Sequence, residues 1–348
     1  MLKSAVIGLG VGEQHARYYD SHEGCKLSAL CDLDLEKAKA LASGYEDPLV
    51  TDNWKDICDN KDIDIVSLAS FDHHHAQQLL YAIKQQKHIF VEKPLCITRE
   101  ELSDIYSAWR DSSNLHIVSN LPLRTAPLFR WLKREIESGA FGEIYAIDGE
   151  YLYGRVDKIT KGWRKDIDDY SVIEGGGIHM LDLMLYITGQ YPNKVSSLGN
   201  KIVTKDSEFR YDDYAASIFQ FESGMIARLT SNFGCVHPHQ HILKIFGTKA
   251  TFILDDMGGR LQKHRDPLNY DDYQKIPDKS KEKPKAQPIS LSPKPDSKAE
   301  LIDDLVKAIL SEDNKGLTLH EFRLMNVCLT AVEALKSGQT EEIILIDE

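Results

Sequence analysis

Mostly apolar runs and helical stretches alternate along the chain through about residue 120. The runs, each of strand length, are those at residues 2–7, 26–31, 64–69, 88–91 and 116–118. Between them, apolar residues recur at helical spacing, as Ala76, Leu79 and Ile83 do in the stretch 75–85. Strands that alternate with helices form a doubly wound parallel sheet, which binds ligands at the carboxyl ends of its strands. The pattern therefore predicts an α/β domain over residues 1–120.

A glycine-rich turn follows the first apolar run, and the second run ends at an acidic residue. Strand, glycine turn, helix, strand and terminal acid is the order that a dinucleotide site requires. Gly8 permits the tight turn, Gly10 lets the backbone approach a pyrophosphate, and the positive end of the next helix faces that group. The predicted cofactor contacts in this segment are Gly8, Gly10, Val11, Gly12 and Asp32.

Two details of this segment bear on the cofactor. Glu13 stands where the common G-x-G-x-x-G fingerprint has its third glycine, so an ordinary strand-to-helix turn stays an alternative. Asp32 can accept hydrogen bonds from the ribose hydroxyls and repels a 2′-phosphate, which predicts NAD rather than NADP. The nearest cations, Lys37 and Lys39, are expected to face solvent.

Length and composition narrow the class of protein. At 348 residues, with 42% hydrophobic and 28% charged residues, two globular domains are expected. The apolar runs are far shorter than the roughly 20 residues of a membrane span, and no signal peptide is recognisable. A net charge of -12 argues against nonspecific nucleic-acid binding. The six cysteines are scattered, as expected for free thiols in a cytoplasmic protein.

Residues that could take part in binding or catalysis follow two of the predicted strands. The run ending at residue 69 leads into the stretch 70–75, which includes three consecutive histidines. Neighbouring side chains on a turn or helix point in different directions, so a helix start and ordinary packing are favoured over a metal site. The run ending at residue 91 leads into Glu92, Lys93 and Pro94. Lys93 either projects into the crevice where a nicotinamide would lie or sits on the surface before a proline turn.

Several motifs in order along the chain resemble the glucose-fructose oxidoreductase and inositol dehydrogenase family (Gfo/Idh/MocA). The main ones are the glycine turn with Asp32, the Glu92-Lys93-Pro94 triplet and the glycine-histidine segment 175–182. The stretch 70–75 resembles the family's T-P-N-x-x-H turn, with Phe71 in place of proline. Further similarities lie at Arg124, Pro127, 138–144 and 245–250. The resemblance covers nearly the whole chain.

The resemblance implies a second domain, over residues 121–348, of α+β type with a large, open, mostly antiparallel sheet. Strand-like segments are consistent with this implication. They lie at 144–153, 215–222, 225–232, 241–246 and 251–255, with a short final strand expected at 343–345. Residues 298–310 and 320–336 are helical in pattern. The stretch 266–298 is rich in Lys, Pro and Asp and predicts a long surface excursion.

The resemblance also implies catalytic and cofactor-binding residues. It makes His179 the acid/base group, with Lys93 beside it, and it adds Ser70, His75, Glu92 and Lys93 to the cofactor contacts. Asp182 lies three positions after His179, so on a helix its carboxylate could orient the imidazole. The alternative for His179 is a helix-start residue that satisfies backbone groups.

One position departs from the family pattern. Many members carry an aspartate four residues before the histidine, whereas this chain has Gly175. The carboxylate of that aspartate is either lacking in this site or replaced by that of Glu174 or Asp182.

Local charge gives a hint about the substrate. Residues 155–165 contain five basic residues and one acid within an acidic chain. Such a patch suits an anionic ligand such as a nucleotide-linked sugar or a uronate, and a solvated loop or subunit contact is the alternative. The predicted substrate contacts are Lys93, Arg124, Trp163, Arg164 and His179.

The function predicted from these features is a cytoplasmic, NAD-dependent oxidoreductase. It would transfer a hydride to or from a secondary hydroxyl or keto carbon of a sugar, polyol or nucleotide sugar. Two alternatives stay open: NAD-assisted glycoside cleavage or cofactor recycling on the same site, and a non-catalytic dinucleotide sensor. No metal is expected. In the strands 216–221 and 225–229, apolar residues occupy both odd and even positions, so apolar side chains would project from both faces of the sheet. A face that no helix covers would be buried against a second copy of the chain, which predicts a homodimer or homotetramer.

Overall fold

The computed structural model describes residues 1–112, 114–264, 285–297, 299–311 and 315–347. Residues 266–284 and residue 298 of the predicted surface excursion lie outside the described residues. Within the described part of the chain, the strands form two sheets, one in each half of the fold.

The first sheet has six parallel strands in the order β3-β2-β1-β4-β5-β6. The predicted doubly wound parallel sheet is confirmed, and the strand order reverses between β1 and β4, where such sheets bind ligands. The strands are β1 (Leu2–Ile7), β2 (Cys25–Cys31), β3 (Leu49–Thr51), β4 (Ile65–Leu68), β5 (His88–Val91) and β6 (Ile117–Ser119). The helices between them are α1 (Gly12–Ser21), α2 (Leu35–Ala42), α3 (Trp54–Asp59), α4 (His75–Lys84) and α5 (Arg99–Arg110).

Local sequence fixes several of these helix starts. The Thr98 hydroxyl accepts from the Glu101 amide and the Glu101 carboxylate accepts from the Thr98 amide, which makes a capping box for α5. The Asp34 carboxylate accepts from the Lys37 amide at the start of α2. Strands β4 and β5 are buried almost throughout, in accordance with a parallel sheet covered on both faces.

The second sheet, in the described residues, is mixed and mostly antiparallel, in the order β14-β13-β12-β11-β7-β10-β9-β8-β15. Only the β7–β10 pairing is parallel. Its strands are β7 (Ile144–Leu152), β8 (Lys194–Asn200), β9 (Tyr214–Gln220), β10 (Ile226–Asn232), β11 (Gln240–Gly247), β12 (Thr251–Asp255), β13 (Gly258–Gln262), β14 (Gln287–Ile289) and β15 (Thr340–Glu342). The five long predicted strands are confirmed. The final strand lies at β15 rather than at 343–345.

In the part of the chain that the structure describes, five further α-helices complete the fold. They are α6 (Pro127–Glu137), α7 (Asp157–Thr160), α8 (Ile178–Thr188), α9 (Leu301–Ser311) and α10 (Lys315–Ser337). Helix α9 returns to the first sheet, where Leu301, Leu305 and Val306 share a buried core with Val6 and Leu9. Helix α10 contacts both β6 and β8, so it joins the two sheets. The domain boundary at residue 120 stays a prediction.

Among the described helices, none is both long and apolar enough to cross a bilayer.

Candidate active site

The glycine turn lies where β1 meets α1, beside the end of β4. Gly8 has φ +86°, and a Cβ there would lie 2.5 Å from the Ala69 carbonyl oxygen, so only glycine fits. A Cβ on Gly10 would meet no described atom within 4 Å, so this part of the turn is open to a ligand. Gly12 packs against β1, where a Cβ would lie 2.8 Å from Val6 Cγ1. Gly12 therefore provides the close helix–sheet packing expected of the third glycine, and Glu13 is left free to pair with Arg17.

Asp32 is held in place at the end of β2. Its Oδ2 accepts from the Leu9 amide at 2.7 Å, and its Oδ1 accepts from the Asp34 amide at 3.0 Å. Burial acts to raise the pKa of Asp32, but these amides and Lys37 outweigh it, so the pKa is lowered and the residue is an anion at neutral pH. Lys37 is exposed, as expected, and its Nζ also lies 3.2 Å from Asp32 Oδ2. Lys39 pairs with Glu36 instead.

A cavity of about 850 Å³ runs from this turn to the second sheet. Its near end is lined by the glycine turn, Asp32, Lys37 and Trp54. Its middle is lined by Ser70, Glu92, Lys93, Gly175 and His179. Its far end is lined by Tyr151, Tyr153, Lys158, Trp163, Arg164 and Phe233.

The near end of the cavity fits a dinucleotide. Within the described chain no side chain caps the start of α1, so its first amides are available to a pyrophosphate. The open surface of Gly10 lets that group approach the backbone, and Asp32 provides an acceptor for ribose hydroxyls. These residues would hold the adenosine and pyrophosphate half of such a ligand, and its nicotinamide half would then lie toward the middle of the cavity.

Lys93 lies on the cavity wall just after β5. Its Nζ donates to the Gly175 carbonyl oxygen at 2.8 Å, which ties the first sheet to the turn before α8. Burial lowers the pKa of Lys93, Asp72 acts against that shift, and the Arg164 guanidinium adds to it. The amine is therefore held in one position, with its other donors directed away from the Gly175 carbonyl.

His179 is the second residue of α8 and lines the same part of the cavity. Burial lowers its pKa well below 6.5, and the charges of Lys93 and His241 lower it further. The imidazole is therefore neutral at pH 7 and able to accept a proton. Its ring is nearly parallel to that of Tyr151, with centroids 5.9 Å apart.

Asp182 does not orient His179, contrary to the expectation from helix spacing. Its fully buried carboxylate accepts from Arg124 Nε at 2.8 Å and from His320 Nε2 at 2.9 Å. Arg124 also donates from Nη1 to Glu321 Oε1 at 2.8 Å. The structure therefore places Arg124 and Asp182 in a buried ion cluster behind the site, and neither of them lines the cavity.

Gly175 and Glu174 belong to a π-helical turn, Ile173–Gly177, directly before α8. A Cβ on Gly175 would overlap the Tyr170 hydroxyl and lie 2.6 Å from ring carbon Cζ, so Tyr170 fills the space of a side chain at this position. Glu174 is 3% exposed, and its Oε1 has no hydrogen-bond partner among the described residues. Burial raises the pKa of Glu174 well above 4.5. Neither Glu174 nor Asp182 presents a carboxylate to the cavity.

The stretch of three histidines serves the turn itself. His75 is buried, and its ring nitrogens lie 2.7 Å from the Pro94 carbonyl oxygen and 3.2 Å from that of Ser70. His75 thereby positions the turn that carries Lys93, while Ser70 itself lines the cavity. His73 stacks against Phe71. Among the described residues, no group of three or more His, Cys, Asp or Glu side chains could hold a metal ion.

A polar network behind Glu92 was not foreseen from the sequence. Glu92 Oε1 accepts from Asn120 Nδ2 at 2.6 Å and lies 3.2 Å from His15 Nε2. The other ring nitrogen of His15 lies 2.9 Å from the Ser67 hydroxyl. Burial raises the pKa of Glu92, but His15 and Asn120 outweigh it, so the carboxylate stays ionised. The network fixes the residue next to Lys93.

The aromatic wall at the far end was also not foreseen. Tyr151 and Tyr153 of the β7 segment pack with Phe233, with ring centroids 5.8 Å and 5.0 Å from the phenylalanine ring. His239 and His241 extend this aromatic cluster behind Tyr151. The recurrence of aromatic residues two positions apart, at 151 and 153, was the available signal, because alternate residues of a strand point to one face.

Comparison with known proteins gives two matches to one family. Residues 2–120 match the oxidoreductase family NAD-binding Rossmann fold (GFO_IDH_MocA), and residues 129–253 match the GFO/IDH/MocA C-terminal domain. The chain belongs to the Gfo/Idh/MocA family. It is therefore an oxidoreductase with an NAD-binding Rossmann domain, and the predicted family and cofactor are confirmed.

Named relatives include two sugar dehydrogenases. The chain is 31% identical over 170 residues to levoglucosan dehydrogenase of Pseudarthrobacter phenanthrenivorans, a match of 48% of this chain and 43% of that protein. It is 27% identical over 264 residues to D-glucoside 3-dehydrogenase of Escherichia coli, covering 70% and 74% respectively. In fold it is similar to a solved levoglucosan dehydrogenase in complex with NADH and levoglucosan. That similarity has a TM-score of 0.82 at 19% identity, over 99% of this chain and 100% of the other.

Proposed function

We propose that this protein is an NAD-dependent dehydrogenase of a sugar or polyol, with His179 as the acid/base group and Lys93 assisting it. The observation that carries the proposal is the placement of both side chains on one cavity wall, past the end that fits a dinucleotide. The relatives named as levoglucosan and D-glucoside dehydrogenases support the class of substrate.

NAD, when bound, supplies the hydride acceptor, and its reduced form supplies the donor. The neutral His179 imidazole takes the proton from the substrate hydroxyl as that carbon is oxidised, and returns it in the reverse direction. Lys93, held by the Gly175 carbonyl, donates a hydrogen bond to the same oxygen. A cation at this place stabilises negative charge that develops on the oxygen.

The walls of the far end suit a sugar ring. Tyr151, Tyr153 and Phe233 offer apolar ring faces, on which the C–H faces of a sugar can pack. Trp163 lies across the cavity and contacts Phe71, with ring centroids 5.4 Å apart.

The test is the separate removal of the two polar groups. His179→Ala and Lys93→Met should each lower kcat for sugar oxidation by about 10²–10⁴-fold while changing the Kd for NAD little. NADH absorbance measures the rate, and protein fluorescence titration measures cofactor binding. Because the pKa of His179 lies well below 6.5, the wild-type rate should stay high through neutral pH and fall only well below pH 6.5.

Matched controls are His22→Ala and Lys39→Met, which remove the same groups outside the cavity. Near wild-type turnover of His179→Ala would disprove the acid/base assignment. Product formation without net NADH would instead indicate glycoside cleavage or cofactor recycling, and NAD binding without any turnover would indicate a sensor.

A further inference from the structure

The far end of the cavity carries two cations without a carboxylate partner. Lys158 and Arg164 line this end, and among the described residues neither pairs with an acidic side chain. The Arg164 guanidinium lies over the ring of its neighbour Trp163, 4.4 Å from the ring centroid. Arg164 is half-buried and lines the same cavity as Lys93 and Tyr151, so it faces the site.

Other basic residues of the same stretch are engaged elsewhere. Lys161 pairs with Asp157 at 3.0 Å, and the Lys165 amine lies 2.6 Å from a carboxylate oxygen of Glu208. Both pairs lie outside the cavity lining. Arg155 lies over the ring of Tyr153, 5.4 Å from its centroid, and is outside the cavity lining. Of the five basic residues in the stretch, Lys158 and Arg164 are therefore the two that line the cavity.

Few acidic groups oppose these cations. Tyr170 occupies the space beside Gly175, so this turn presents no carboxylate there. Asp72 and Glu92 line the cavity near Lys93 and balance part of the charge. Lys93, Lys158 and Arg164 still outnumber these two acids at the substrate end.

The space available limits the size of the ligand. One cavity of about 850 Å³ extends from Asp32 to Tyr153 and must contain the dinucleotide as well as the substrate. A dinucleotide held by Asp32 and the glycine turn would occupy the near end and the middle of the cavity. What is left between the aromatic rings and Arg164 suits a single sugar ring rather than a nucleotide-linked sugar.

We propose that the substrate is a sugar acid of monosaccharide size, whose carboxylate binds Arg164 and Lys158 while its ring packs on the aromatic wall. A guanidinium can bind a carboxylate through two parallel hydrogen bonds, which also orients the sugar. This inference rests on the proposed dehydrogenase function and adds the charge of its substrate.

The test compares sugars that differ only at C6. D-Glucose, D-galactose and D-mannose are each offered as the neutral sugar, the uronate and the 6-phosphate, with NAD and the wild-type enzyme. In at least one series, kcat/KM for the uronate should exceed that for the neutral sugar by about 10- to 100-fold, as expected for a hydrogen bond to a charged group. Calorimetric titration of the NADH-loaded enzyme should show the same order of affinity.

Variants then assign the preference to Arg164. Arg164→Gln should remove most of the uronate preference, through KM more than kcat, and Arg164→Lys should restore part of it. Lys161→Gln, which removes a positive charge from the same stretch outside the cavity, should leave the preference unchanged. Thermal unfolding checks that each variant is folded, and the wild-type sugar comparison needs no variant.

Each result decides the matter. Uronates that bind and react no better than neutral sugars, or 6-phosphates that exceed both, overturn the inference. NADH formation from neutral sugars alone leaves the proposed dehydrogenase function in place. Preferential binding of uronates without NADH formation supports the inference about the charge of the ligand and contradicts the proposed dehydrogenase function.

Discussion

Asp32 and Lys37 lie side by side at the adenosine end of the cavity, with 3.2 Å between Oδ2 and Nζ. The carboxylate provides a hydrogen-bond acceptor for ribose hydroxyls and repels a 2′-phosphate. Lys37 has the opposite preference, because it can pair with that phosphate once Asp32 no longer occupies it. Cofactor choice at this end is therefore a balance between two neighbouring residues.

Removal of the carboxylate should shift this balance. Asp32→Ala should weaken NAD binding by about 10-fold, the loss expected for hydrogen bonds to a charged group, and should strengthen NADP binding. The double variant Asp32→Ala/Lys37→Ala should lose the gain for NADP, whereas Asp32→Ala/Lys39→Ala should keep it. Fluorescence titration with both cofactors measures each Kd. Tighter binding of NADP than of NAD by the wild type would contradict the assignment.

Position 175 has no room for a side chain, because Tyr170 fills the space beside Gly175. Its carbonyl holds Lys93, and a side chain would enter the ring of Tyr170. A Cβ on the next residue, Gly176, would lie 2.3 Å from Tyr151 Cε1 and 2.8 Å from Phe233 Cε2. The glycine run thus lets the start of α8 lie directly on the aromatic wall.

Overpacking at this position should therefore affect stability and rate together. Gly175→Ala should lower the free energy of unfolding by about 1–3 kcal/mol, and should also lower kcat because the turn that holds Lys93 is displaced. Gly44→Ala is the control, because a Cβ there would meet only the Leu41 carbonyl oxygen at 3.6 Å. Urea denaturation and NADH formation measure the two effects. A Gly175→Ala variant as stable as Gly44→Ala would show that Tyr170 moves aside with no loss of unfolding free energy, which would contradict this prediction.

At the scale of elements, the sequence predicted the strands and helices that have a clear hydrophobic pattern of their own. Strands β4 and β5 are mostly apolar because both their faces are covered, and their ends place Ser70, Glu92 and Lys93 at one edge. Strand β3 has only three residues, and β8 contains Lys, Ser, Gly and Asn, so neither has a strand pattern. Strand β8 is stabilised by pairing with β9 and by packing on α10.

Contacts between distant elements could not be predicted in this way. Asp182 of α8 meets Arg124, 58 positions earlier, and His320, 138 positions later, and no local spacing encodes such pairs. The helix spacing that suggested an Asp182–His179 pair is real, but the buried guanidinium binds the carboxylate more strongly than a neutral imidazole can. The cluster joins α8 and α10 to the turn before α6.

Loss of this carboxylate should destabilise the fold. Asp182→Asn leaves Arg124 buried with Glu321 alone and should cost about 3–5 kcal/mol of unfolding free energy at pH 7. The exposed pair of Glu36 and Lys39 provides the control, since Glu36→Gln should change stability by less than about 1 kcal/mol. Urea denaturation measures both variants.

The same cluster should make stability depend on pH. Burial acts to raise the pKa of Asp182, but Arg124 and His320 outweigh it and the pKa falls below 3.8. Its contribution is therefore complete above pH 3.8 and is lost as the pH falls through the folded-state value. The difference between wild type and Asp182→Asn should shrink in that acid range. An equal difference at all pH values would contradict this account.

At the scale of the whole molecule, one face of the second sheet is exposed and has a regular composition. Pairing aligns Ile218, Arg228, Asp148, Lys244 and Ile253 in one row across five strands. Charges of opposite sign alternate in its centre, with Arg228 Nε 3.2 Å from Asp148 Oδ1. Apolar residues flank them, among them Ile218 at 44% exposure and Leu198 at 74%. Such a face can pair with a second copy of itself.

We therefore predict a homodimer or homotetramer that associates through this face. Light scattering at micromolar concentration should give a multiple of the 39.4 kDa chain mass. Ile218→Arg should shift the protein toward the monomer, because it places a charge without a partner in the apolar part of the contact that flanks the charged centre. Val236→Arg should not, since Val236 is fully exposed outside the strands of the sheet. A wild-type monomer at these concentrations would refute the prediction, and an unchanged Ile218→Arg oligomer would place the interface elsewhere.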